Sequence, residues 1–254
     1  MNMETISSRK NPFIRHLRSL SHDGSYRAEQ GEFLCDGQKL LDEALSFGAE
    51  VTAILWKDRP PEREYPCRKQ FLALKEIYDY ASPMENSPGP LFSVKMKPAD
   101  TKFDPAGGVI VLEGVQDPGN VGTVIRTANA FGLSAVVLTG GCADRYNPKT
   151  VRATMGAVFR QRVLPVPIEA LPDFLKEKGL KLYGAALSDN AKDLRQVCLD
   201  GAAVAVGSEG RGLSRELLDI CDGEIIIPMN PNSESLNAAV AASVLMWEMG
   251  GKKR

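Results

Sequence analysis

Three separated stretches in the second half of the chain collect the side chains that can do chemistry. The first, EGVQDPGNVGTVIRTANAFG over residues 113–132, carries Asn120 and Arg126. The second, VGSEGRGLS over 206–214, sets Glu209 among Gly207, Gly210 and Gly212. The third, IPMNPNSESLNAAVAAS over 227–243, carries Ser235 and Asn237. Each follows an aliphatic run (VIVLE, AAVAVG and EIIIP) that reads as a buried parallel strand. Ligands of open α/β sheets bind outside the carboxyl ends of the strands, so three loops of small and polar residues at such ends mark one ligand site. The chain reads as an enzyme.

The glycines of the first loop suggest a phosphate cradle, yet DPGNVG does not reproduce GxGxxG and no Walker lysine pattern occurs. Gly119 and Gly122 serve equally well to make a turn and a close helix contact. Taken one at a time, Asn120, Ser235 and Asn237 are helix caps, Arg126 is a helix-surface cation beside a carboxylate, and Glu209 is a solvated turn residue.

These loops need a scaffold. From about residue 107 the pattern alternates: strands over 108–113, 135–138, 162–165, 181–185, 202–206 and 224–227, with helices over 121–131, 148–157, 170–178, 215–220 and 236–249. Such alternation means parallel pairing with helices on both faces, an α/β fold. Residues 1–96 form a separate small α/β module. It has a basic helix over 11–20, a strand over 32–35, a helix over 38–47, a strand over 51–56, further helical stretches and a closing strand over 91–95. Residues 97–106, polar and punctuated by Pro, read as the linker.

Composition fits an ordinary soluble protein: 254 residues, 43% hydrophobic, 25% charged, net charge −1 and pI about 6.2. That length holds one large domain or two modest ones. The chain has no run of about 18 apolar residues and no apolar leader near its start, so a cytoplasmic protein without a membrane partner is expected. Cys35, Cys67, Cys142, Cys198 and Cys221 are scattered without a CxxC pair, and His16 and His22 are the only histidines. Free buried thiols and no metal site are expected. A net charge near zero argues against indiscriminate nucleic-acid binding, while Arg9, Lys10, Arg15 and Arg18, and Arg145, Lys149, Arg152, Arg160 and Arg162, supply local basic clusters.

Together the three stretches resemble the SpoU or TrmH-type branch of the SPOUT RNA methyltransferases. The pattern is Asn120 with Arg126, then Gly207, Glu209, Gly210 and Gly212, then an apolar strand ending Ile227–Pro228–Met229, then Ser235, Leu236 and Asn237. The match spans about the last 150 residues. SRKNPFIRHLRSL and FLCDGQKLLDEAL also resemble the RNA-binding domain that precedes the catalytic domain in ribosomal RNA members. The stretch NPNSE departs from the Gly-containing loop usual after IPM.

The resemblance implies a Rossmann-like parallel sheet with a deep trefoil knot over 107–254, preceded by an RNA-binding domain over 1–96. It implies S-adenosyl-L-methionine as cofactor and a homodimer whose partner chain completes each site. The expected activity is RNA 2'-O-ribose methylation, on ribosomal RNA in preference to transfer RNA. A transfer RNA enzyme and a catalytically silent RNA-binding or ribosome-assembly protein of the same fold are the other readings. Arg126 is the implied catalytic group. An arginine keeps its proton unless its surroundings are unusual, so stabilising charge or positioning a phosphate is the conservative form of that role. Asn120, Glu209 and Asn237 are expected to hold the guanidinium or the target nucleotide, with Ser235 beside them. Gly207, Gly210, Ile227, Met229, Leu236 and Thr139 are the expected cofactor residues. Val240, Val244 and Leu245 are expected in the core or a dimer contact, and His16 and His22 at the surface or facing RNA.

Overall fold

Continuous aliphatic runs make the central strands of the second half, as expected for a sheet covered on both faces. The computed structural model describes residues 3–230, 232 and 235–250. In chain order its elements are β1 (Glu4–Ile6), α1 (Pro12–His22), α2 (Gly24–Gln30), β2 (Glu32–Asp36), α3 (Gln38–Ser46), β3 (Val51–Lys57), β4 (Gln70–Ala73), α4 (Lys75–Ala81) and β5 (Leu91–Lys95). There follow β6 (Val109–Glu113), α5 (Pro118–Phe131), β7 (Ala135–Thr139), α6 (Pro148–Ala153), β8 (Val163–Pro165), α7 (Leu171–Lys178) and β9 (Leu182–Ala185). The last are β10 (Lys192–Asp193), β11 (Ala203–Val206), α8 (Arg215–Asp219), β12 (Gly223–Ile226) and α9 (Ala238–Gly250).

The chain forms two units, Met1–Pro98 with Tyr146–Phe159, and Ala99–Arg145 with Arg160–Arg254. In the second, seven strands lie in the order β10-β12-β9-β11-β6-β7-β8, every neighbouring pair parallel. Every residue of β6, β7 and β11 is buried. The chain leaves β6 toward β7 on one side, while β11 returns on the other. The loops after β6 and β11 therefore part at a topological switch, the place where open α/β sheets hold ligands.

The first unit is a five-stranded mixed sheet, β1-β4-β3-β5-β2, in which β5 runs antiparallel to both β2 and β3. Asn11 caps α1 with Pro12 at its first turn, and Ile14, Leu17 and Leu20 turn one face into the core. The edge strand β1, three residues long, and the strand β4 had no counterpart in the sequence reading.

Tyr146–Phe159, read from sequence as part of the second unit, packs within the first. Tyr146 stacks on Phe33 with ring centroids 4.6 Å apart, and Val151 and Phe159 join the same core cluster as Phe33, Leu40 and Phe92. Its helix stops at Ala153, short of the expected 157, because Met155 and Gly156 both take positive φ (50° and 91°). A Cβ at Gly156 would lie 2.8 Å from Glu43 Cγ, so only glycine fits that approach.

Candidate active site

β6 delivers a carboxylate to the switch point. Glu113, its last residue, is only 7% exposed, and its two oxygens accept from the backbone N–H (2.7 Å) and the hydroxyl (2.5 Å) of Ser214. Ser214 in turn caps α8 by accepting from Leu217 N–H at 3.1 Å. One buried carboxylate thus ties the end of β6 to the far end of the loop after β11, and its two hydrogen bonds satisfy a charge that would otherwise be costly to bury. Neither Glu113 nor Ser214 was singled out from sequence; the available signal was an acidic residue closing the apolar run VIVLE.

The helix after β6 corrects one reading. Asp117, not Asn120, is the cap of α5: its carboxylate accepts from the N–H of Asn120 at 2.9 Å, with Pro118 following. Asn120 stands in the first turn, its amide free for other work. Asn120 Nδ2 donates to Glu209 Oε1 at 2.7 Å.

Glu209 sits in a loop that only glycine can close. A Cβ at Gly207 would stand 2.0 Å from the carbonyl oxygen of Gly212, while Gly212 N–H donates to Ser208 O at 2.9 Å and itself has φ of 65°. The third stretch closes the site. Asn237 caps α9, Oδ1 accepting from Ala239 and Val240 N–H at 3.0 and 3.2 Å, while Nδ2 donates to Glu209 Oε1 at 2.5 Å and to Asn120 Oδ1 at 3.2 Å. Ala238 N–H adds a fourth link, to Glu209 Oε1 at 3.2 Å. The capping role read for Asn237 is realised, and its Nδ2 is left to reach Glu209 and Asn120, because the amide has an oxygen and a nitrogen to divide between these tasks.

Two clefts flank this cluster and share the wall formed by residues 208–212. One, of about 510 Å³, is walled by Leu213, Leu218, Ile225 and Ala241 and takes in Gly207, Gly210, Ile227, Met229, Ser235 and Leu236. The other, of about 480 Å³, is polar and lined by Glu113, Gln116, Asp117, Asn120, Gly140 and Arg211. Five of the six residues expected at a cofactor therefore line one cleft. The sixth, Thr139, is buried at the end of β7 and lines neither.

Arg126 is the main departure. It is exposed on α5, lines neither cleft, and makes no hydrogen bond or ion pair with the described residues. Asn120, Glu209 and Asn237, expected to hold its guanidinium or the target nucleotide, hold one another. On a helix of 3.6 residues per turn, a residue six positions from Asn120 is turned well away from it. Leu245 is fully buried, whereas Val240 and Val244, with Trp247, are exposed (49%, 36% and 47%). The unusual loop over 230–234 includes Pro231, Ser233 and Glu234, which lie outside the described residues.

A parallel sheet with an apolar cleft and a polar cleft meeting over glycine loops at its switch point defines an α/β enzyme that brings two ligands together. The apolar cleft suits S-adenosyl-L-methionine: aliphatic walls accept an adenine ring, and Gly207 and Gly210 let a ligand approach the main chain. The model of the SpoU rRNA Methylase family matches residues 108–247, and the chain belongs to that family. It is an S-adenosyl-L-methionine-dependent RNA methyltransferase.

Among its relatives is the 23S rRNA (guanosine(2553)-2'-O)-methyltransferase RlmP of Bacillus subtilis, 35% identical over 98% of this chain and 100% of that protein. The AdoMet-bound rRNA methyltransferase of Sinorhizobium meliloti superposes with a TM-score of 0.85 at 25% identity, covering 97% of each chain. The SpoU methyltransferase AviRb of Streptomyces viridochromogenes gives 0.84 at 25% identity, over 94% of this chain and 96% of that one.

Proposed function

We propose that this protein transfers the methyl group of S-adenosyl-L-methionine to the ribose 2'-hydroxyl of a nucleotide in ribosomal RNA. The observation that carries the reading is the meeting of Asn120, Glu209 and Asn237, from three loops, on the wall between the apolar and the polar cleft. When bound, S-adenosyl-L-methionine supplies an electrophilic methyl group on a positively charged sulfur. Ile227, Met229 and Leu236 pack around it, with Gly207 and Gly210 giving it main-chain contact. The polar cleft receives the acceptor nucleotide. Three N–H donors fix Glu209 through Oε1, which leaves Oε2 to accept from the ribose hydroxyl and take its proton as that oxygen is methylated. Ser235 closes the rim of the apolar cleft.

Arg126 stands outside the clefts of its own chain, so its part is played on those of a second copy, where a guanidinium stabilises the alkoxide as it forms. A homodimer is supported by the exposed Val240, Val244 and Trp247 on α9, which packs against the helix bearing Arg126 through an edge-on Phe131–Trp247 contact at 5.6 Å. Residues 1–96, with Tyr146–Phe159 packed among them, act as the RNA-binding domain, joined by 97–106 to a catalytic domain made of the rest of 107–254, which carries the trefoil knot. The reaction is cytoplasmic; no helix among the described residues is long and apolar enough to cross a membrane.

The test is transfer of labelled methyl to unmodified ribosomal and transfer RNA, followed by digestion to nucleosides. Label in a 2'-O-methylnucleoside of ribosomal RNA is the expected result. Label confined to transfer RNA, or found on a base, overturns the substrate; cofactor binding without any transfer favours the silent RNA-binding reading.

A further inference from the structure

A cavity of about 610 Å³ in the first unit shares no residue with the two clefts of the methyl-transfer site. Its walls are Leu34, Leu40, Pro83, Met84 and Pro148, apolar surface wide enough for a heterocycle. Three cationic or ionisable groups line it as well: His22 at the end of α1, and Lys149 and Arg152 on α6. His22 Nδ1 donates to the carbonyl of Arg18 at 2.9 Å, which fixes the ring and leaves Nε2 of the neutral imidazole as an acceptor. Arg152 is exposed. Glu85 is the acidic residue among them at the rim.

Asp36, at the end of β2, is the other carboxylate of the cavity. Ser82 donates to its Oδ2 at 2.8 Å, while Ser87 and the hydroxyl of the fully buried Tyr78 donate to its Oδ1. Three hydroxyls hold this carboxylate in one orientation at the edge of an apolar pocket. One lone pair, on Oδ2, remains to accept from a ligand N–H. Burial raises its pKa, against the hydrogen bonds from Ser87, Ser82 and Tyr78, and so makes an N–H donor welcome there.

We propose that this cavity holds one extruded nucleotide of the RNA substrate, its base on the Pro83–Met84–Pro148 surface with an N–H toward Asp36 and its phosphate on Arg152 and Lys149. Apolar walls alone would suit many ligands; apolar walls, a fixed acceptor and a cationic rim together match a base joined to a phosphate. The inference rests on the RNA reading and deepens it: the protein anchors a nucleotide other than the one it methylates.

Steady-state methyl transfer with the full chain and unmodified ribosomal RNA tests it, comparing Arg152→Glu and Asp36→Asn with the native protein. Arg152→Glu is expected to raise KM for RNA about tenfold, leave KM for the cofactor unchanged, and reduce the slope of log affinity against log salt by about one. Asp36→Asn is expected to raise KM for RNA about as much while leaving the salt slope unaltered, since it removes a base contact and no phosphate contact. A general loss of structure would instead move the melting temperature and both KM values. RNA KM values within twofold of native in both variants overturn the proposal, as does inhibition by micromolar free mononucleotide, which would assign the cavity to a small effector. Failure of the native protein to methylate any RNA would sink the functional reading first, and this inference with it.

Discussion

Glu113 and Glu209 serve the same glycine loop, the first tied to its far end and the second standing within it, and are used in opposite ways. Glu113 is buried, both oxygens spent on Ser214, and lies where a strand ends. Glu209 is exposed, with one oxygen taking three N–H donors from two other loops. A buried carboxylate with each oxygen engaged by Ser214 is suited to holding its neighbours in place, whereas an exposed one fixed through a single oxygen is equipped to meet a ligand. The loop is therefore anchored by one carboxylate and presents the other.

The largest effect should come from the loop itself. Gly207→Ala drives a methyl group into Gly212 O, and cofactor binding measured by calorimetry should vanish together with about 1–3 kcal/mol of stability. Retained cofactor affinity would mean the loop can open without cost and that neither carboxylate needs to hold it.

Glu209→Ala should lower kcat/KM for RNA about 100-fold while the melting temperature stays nearly constant, since the residue is exposed. Glu113→Gln should do the reverse. One Ser214 bond lost from a buried site costs about 1–3 kcal/mol in denaturant unfolding, while the cofactor KM rises only a few-fold. If the two variants exchanged these signatures, the division between a holding and a working carboxylate would be wrong.

A smaller effect sharpens the picture of the ground beneath the loop. Burial first, then the charges of Glu224, Asp222 and Glu113, pushes the Cys221 thiol up to about 12 from an ordinary 9.0. Both folded and unfolded chains hold the thiol proton below pH 9. Above it the unfolded chain ionises first, so the native state loses stability as pH rises toward about 12. Iodoacetamide at pH 8 should therefore label the exposed Cys198 well before Cys221, as peptide mapping would show. Equal rates would mean that the buried side of the site is open to water.

Much of this was legible in the chain. The runs VIVLE, AVVLT and AVAV are apolar but for the Glu113 and Thr139 that close the first two, as strands covered on both faces require, and they lie within a residue of their expected places. Gly207, Gly210, Ile227, Met229 and Leu236 were implied at one cofactor by the family resemblance, and they line one cleft because strand ends in a parallel sheet share one edge. Less visible were β1 and β10, three and two residues long, which carry too few side chains to show a period. The placement of Tyr146–Phe159 was hidden for another reason: its aromatic partner Phe33 lies more than a hundred residues earlier.

Sequence alone thus determined the fold class, the three loops and their residue types, because local periodicity and glycine geometry are written in neighbouring positions. Only the tertiary structure decided which atoms those loops share. It gave the cap of α5 to Asp117 and freed Asn120 for Glu209, it tied Glu113 to the far end of the loop, and it turned Arg126 away from its own clefts. A hydrogen bond between residues 89 or 117 positions apart depends on how strands are ordered across the sheet, and that order is settled by packing the whole unit at once.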